Sequence, residues 1–167
     1  MAGFQKKLCA IDFNFLLLLE AGKVECVTAF EILDRHKFHF ILTESPLQEL
    51  HDMSTRTSAD DLATFAASVL GRIRTSYGIE TPGLKAIYRD CAQITSDFLL
   101  ERVLPEGASK NTALSVVEAS LHECTCLVTL DRILCKTDNS KLNAALVSRD
   151  CSPIWIFNPE LAPLEKL

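Results

Sequence analysis

The stretch Leu8-Cys9-Ala10-Ile11-Asp12 decides the fold. Four apolar residues in a row suit a short strand buried on both faces, and such strands belong to parallel sheets. An acid then stops the run, and residues 13–21 and 25–35 read as two helices separated by Gly22. The alternation recurs outward from there. Residues 38–43 read as a second strand, and Ser45-Pro46 opens a helix with a side-chain N-cap, proline in the first turn and Gln48 at the third position of a capping box. Ser58 begins another helix, with Leu62, Phe65, Val69 and Ile73 as its apolar stripe. Residues 77–81 read as a short third strand, stopped by Pro82-Gly83. A long helix covers about residues 84–103, and Ser109 caps one running to about Glu123. Residues 126–129 and 154–157 read as the fourth and fifth strands, with helical turns between them. The expected architecture is a three-layer α/β/α domain around a four- or five-stranded, mainly parallel sheet.

Composition agrees. The chain has 167 residues, 48% hydrophobic and 23% charged, which supports one globular domain over residues 1–167 and excludes disorder. Six Gly and six Pro exclude collagen-like or linker-like composition. With 17 Lys+Arg against 22 Asp+Glu the net charge is −5, so no global basic field draws in nucleic acid. Seven scattered cysteines, several inside apolar runs, read as reduced thiols rather than a disulfide framework. The apolar run 13–19 is too short for a membrane span and reads as a buried helix or a dimer partner. The expectation is a cytoplasmic protein with no membrane partner.

In open parallel sheets, ligands bind beyond the carboxyl ends of the strands. Asp12 follows the first strand, Asp131 lies just past the fourth, and Glu49 is about one turn into the helix after the second. Three carboxylates meeting on one rim repel each other unless protons or a cation offset the charge. Hard oxygen donors suit Mg²⁺ or Mn²⁺. The alternative is three separate helix-start acids, each stabilised by its helix dipole.

These residues carry a resemblance. Ala10-Ile11-Asp12-Phe13-Asn14, Leu42-Thr43-Glu44-Ser45-Pro46-Leu47-Gln48-Glu49-Leu50 and Leu127-Val128-Thr129-Leu130-Asp131-Arg132 are similar, in order and spacing, to the motifs of the PIN domain. That family comprises metal-dependent nucleases, including the toxin ribonucleases of toxin–antitoxin pairs. The closing Ile154-Trp155-Ile156-Phe157-Asn158-Pro159-Glu160 also resembles the family's last strand, and the likeness spans about residues 8–160. It implies an endoribonuclease dependent on Mg²⁺ or Mn²⁺, with Asp12, Glu49 and Asp131 as catalytic and metal-binding residues. Asn14, Thr112 and Thr129 would be supporting polar groups. RNA is the implied substrate, an antitoxin-like protein the implied partner, and a homodimer a further one.

One position departs from the pattern. Where the family has an acid early in the helix before the fourth strand, Lys110-Asn111-Thr112-Ala113-Leu114 places Thr112. Glu118 is six residues on, which turns it away from Thr112, while Glu106 on the preceding loop is within reach. A catalytically inactive PIN-like module that binds nucleic acid or protein is therefore the second reading. Haloacid-dehalogenase chemistry is excluded because Asn14 stands where a second aspartate is needed. A receiver domain lacks its acidic pair and its lysine. His122, Cys124 and Cys126 do not have zinc-site spacing, and His36 and His39 have no assigned role. Arg72, Arg74, Lys85 and Arg89 read either as a phosphate-binding patch or as a solvated face.

Overall fold

The computed structural model describes residues 7–56 and 61–161. The expected helix start at Ser58 lies outside the described residues. Four strands, β1 (Lys7–Ile11), β2 (Phe38–Ile41), β3 (Cys126–Val128) and β4 (Trp155–Phe157), form one sheet in the order β2-β1-β3-β4, every pair parallel. Around it lie α1 (Phe13–Glu20), α2 (Val24–Arg35), α3 (Glu44–Ser54), α4 (Asp61–Tyr77), α5 (Ala86–Arg102), α6 (Lys110–Leu121) and α7 (Asn139–Val147). A 3₁₀ turn at Leu134–Lys136 precedes α7.

Strand periodicity sorts the core into two layers. Cys9, Ile11, Phe40, Cys126, Val128 and Phe157 face the side covered by α1–α4. Ala10, Ile41, Leu127 and Ile156 face the side covered by α5–α7. This is a three-layer α/β/α fold, with β1 and β3 central and buried on both faces. The run 13–19 is the buried helix of the two readings: Phe15 and Leu16 are fully buried. Burying such a side chain contributes about 1.5–3 kcal/mol. Gly22, at φ +76°, makes the left-handed turn that separates α1 from α2.

The structure differs from the sequence expectations in three places. Residues 77–81 do not form a strand. Tyr77 ends α4, Gly78 turns at φ +62°, and only Glu80 pairs with the sheet, bridging Ile41. Pro82, which has no N–H, stops the pairing from extending. Ser45 does not cap α3; Thr43 is the N-cap residue, without a side-chain cap, and Ser45 sits in the first turn. Gln48 does not complete a capping box but donates to Asp52 at 2.7 Å. Thr43 and Ser45 direct their side chains to Glu118 of α6 instead.

Candidate metal and phosphate site

Strand order places the site. From β1 the chain moves to one side for β2, then crosses back to the other side for β3, so the topology reverses between β1 and β3. The carboxyl ends of those two strands bound the crevice where such sheets bind ligands. Asp12 and Asp131 both lie there.

Asp12 caps α1: its backbone is extended, and Oδ1 accepts from the Phe15 N–H at 2.7 Å. Its Oδ2 accepts from the Thr129 hydroxyl. Thr129, buried directly after β3, receives the Asp131 N–H at Oγ1 over 3.0 Å, so one hydroxyl joins the two acids. Asp131 Oδ1 accepts from Ile133 N–H at 2.8 Å and Leu134 N–H at 3.2 Å, which starts the 3₁₀ turn. Its Oδ2 accepts from the Thr112 hydroxyl at 3.2 Å. Ser109 caps α6, its Oγ accepting the Thr112 N–H at 3.0 Å, and this directs Thr112 toward the rim.

Glu49 reaches the same place from α3. It lines, with Asp12, Asp131, Asn14 and Thr112, a small cavity of about 40 Å³. That is room for an ion or a water or two. The Glu49 carboxylate is hydrogen-bonded by the Asn111 side chain. Asn111 was legible in the sequence only as a neighbour of Thr112, without a role, because nothing local shows that α3 packs on α6. Glu106 is exposed and is not among the residues lining this cavity. Among the described residues no three Asp, Glu, His or Cys side chains stand together as a ready-made metal-ligand set. Asp12 and Asp131 are the joined pair, Glu49 shares their cavity, and Thr112 supplies a hydroxyl.

The electrostatics follow from the packing. Burial pushes the Asp12 carboxyl up to about 6, with the charge of Asp131 adding to it. The Thr129 hydroxyl and the N–H groups of Phe15 and Leu130 pull the other way. Burial also raises Glu49, with Asp52 adding and Asn111 opposing. Both helix-start and clustered readings of the acids are thus partly realised. One oxygen of Asp12 and one of Asp131 cap backbone N–H groups, and the other oxygens converge on threonine hydroxyls. Every donor is oxygen, which fits a hard cation held by one or two carboxylates with waters completing its shell.

Of the four basic residues read as a patch, the three arginines are engaged by neighbours. Arg72 pairs with Glu20, Arg74 donates to Thr81 at 3.0 Å, and Arg89 forks onto Glu44.

No family model matches this sequence, and no curated protein matches it. Solved structures do. The chain is similar to one in the crystal structure of VapBC2 from Rickettsia felis bound to a DNA fragment from their promoter. There the TM-score is 0.60 at 13% identity, over 90% of this chain and 98% of that one. It is also similar to a chain in the crystal structure of FitAcB from Neisseria gonorrhoeae. That match has a TM-score of 0.53 at 11% identity, over 92% of this chain and 99% of the other. At such identities the likeness establishes the fold.

Proposed function

We propose that this protein is a PIN-like nuclease that hydrolyses RNA phosphodiester bonds with Mg²⁺ or Mn²⁺ at Asp12, Glu49 and Asp131. The observation that carries the reading is the Thr129 hydroxyl joining Asp12 to Asp131 at the switch point of the sheet, with Glu49 lining the same cavity. A bound divalent ion would supply Lewis acidity toward a phosphate oxygen and lower the pKa of a water. Asp12 and Asp131 would hold it through Oδ2, since each Oδ1 is engaged with backbone N–H groups. Thr129 and Thr112 orient those oxygens. Glu49, whose carboxylate lines the same cavity, would accept a proton from an attacking water. The likeness to VapBC2 and FitAcB supports an antitoxin-like protein partner as part of the same proposal.

One observation favours the second reading, an inactive binding module. Thr112 stands in place of a family acid, and its hydroxyl occupies an Asp131 oxygen. Cleavage of single-stranded RNA in Mn²⁺ decides between them. The nuclease reading expects cleavage by the wild type and its loss in Asp131→Asn. Thr112→Asp should then raise the rate roughly tenfold, a barrier change of about 1.4 kcal/mol. A wild type without activity, with cleavage appearing only in Thr112→Asp, makes the protein a binding module on a nuclease scaffold.

A further inference from the structure

A wider cavity lies apart from the carboxylate site. A cleft of about 550 Å³ opens between α3, α5 and α6. Its floor is apolar, built from Leu84, Ala92 and Leu114, all buried. Its charged walls are Glu44, Glu118 and Arg89, two carboxylates against one cation, and each is already engaged within the protein. Arg89 is locked onto Glu44 by three contacts of 2.7–3.2 Å, and the Leu84 N–H holds the same carboxylate at 2.8 Å. Buried Glu118 spends one oxygen on the Ser45 N–H at 2.9 Å and the other on the Ser45 hydroxyl at 2.6 Å. No bare cation is left to hold a phosphate, and both carboxylates are occupied. The cleft therefore suits a flat, neutral molecule with a hydrogen-bonding edge. The Arg89–Glu44 pair offers a rigid planar face of the kind on which bases stack. Gln93 offers an amide, and Gln48, its nitrogen held by Asp52, offers a carbonyl oxygen.

Its position relates it to the carboxylates. Gln48 is the neighbour of Glu49, and Leu114 lies one turn, about 5 Å, along α6 from Asn111. Glu49 and Asn111 line the small cavity while Gln48 and Leu114, on the same two helices, line the cleft, so the two lie side by side. We infer that the cleft receives one unpaired nucleobase of the strand whose phosphate lies at Asp12 and Asp131, stacked on Arg89 and read at its edge by Gln48 and Gln93. The inference rests on the nuclease reading.

Fluorescence anisotropy with the full chain in Ca²⁺, a hard cation suited to oxygen donors, tests it. The probes are a labelled oligouridylate of roughly 12 nucleotides and an abasic ribose–phosphate strand of equal length. The base-bearing strand should bind about tenfold more tightly, one stacked base being worth that much. Arg89→Ala should remove that advantage and leave abasic binding unchanged. Gln93→Ala, on an exposed helix position, should reduce it and serves as the variant that leaves Glu44 paired. Equal binding of both strands to the wild type overturns the base cleft while leaving the carboxylate chemistry to its own Mn²⁺ assay. Binding of neither strand also overturns the base cleft, whereas the nuclease reading stands or falls on Mn²⁺-dependent cleavage.

Discussion

At the scale of single residues, Asp12 carries two opposed duties. It caps α1 and stands partly buried beside a second acid, and burial raises its pKa to about 6 from 3.8. The folded protein therefore binds this proton more tightly than the unfolded chain, so ionising the group costs stability. Metal-free stability should fall, through this group, as pH rises from about 4 to about 6. Asp12→Asn keeps a good capping side chain and removes the ionisation. It should be more stable than wild type by about 1 kcal/mol above pH 6, the shift being discounted because the side chain is only half-buried. Below pH 4 the two should be equal. Urea denaturation in chelator across this range checks it, and a pH-independent difference would show that the site does not strain Asp12.

At the scale of elements, the pairing of α3 with α6 makes the site. Two side-chain links join them: Glu118 to Ser45 and Thr43 at the start of α3, and Asn111 to Glu49 a turn further along. Glu118 is only 4% exposed. Burial raises its pKa, and the Ser45 and Thr43 hydrogen bonds oppose that rise. Removing it leaves the Ser45 N–H without its partner inside the protein. Glu118→Ala should cost about 2 kcal/mol, and a double-mutant cycle with Ser45→Ala should show coupling of about 1 kcal/mol. Additive losses would mean that the two residues act independently and that α3 is held by its apolar face alone.

At the scale of the whole molecule, no described helix is long and apolar enough to cross a membrane, and every described cysteine is free. The chain is acidic, and Arg72, Arg74 and Arg89 are engaged by neighbours, so whole-molecule charge does not hold a polyanion. A cation at the carboxylates would change the local balance. If Mn²⁺ binds only the folded state, a concentration of about 100 times its Kd should add roughly 2.7 kcal/mol. For a domain of this size that corresponds to a Tm rise of about 5–10 °C. Asp12→Asn should lose most of the rise; an equal rise in both proteins would place the ion elsewhere.

What the sequence by itself determined was local. Short apolar runs located β1, β2, β3 and β4, and Ser109 marked a helix start, because buried parallel strands and helix caps leave their mark within a few residues. Asp12 and Asp131 were legible as acids beyond strand ends, Glu49 as an acid one turn into the helix after the second strand, and Thr112 as the odd residue of its helix. The failed third strand at residues 77–81 marks the limit: α4 runs to Tyr77, Gly78 turns the chain and Pro82 follows, which left room for one bridge at Glu80. Tertiary structure alone decided what crosses between elements. It turned Ser45 from a cap into a partner for Glu118, gave Asn111 to Glu49, and joined Asp12 to Asp131 through Thr129. The contacts between elements, Glu49 to Asn111, Ser45 to Glu118 and Asp12 to Thr129, span 62, 73 and 117 positions, and they form only when the fold brings the elements together. No local pattern encodes them, because each depends on the packing of two elements that are silent about one another in sequence.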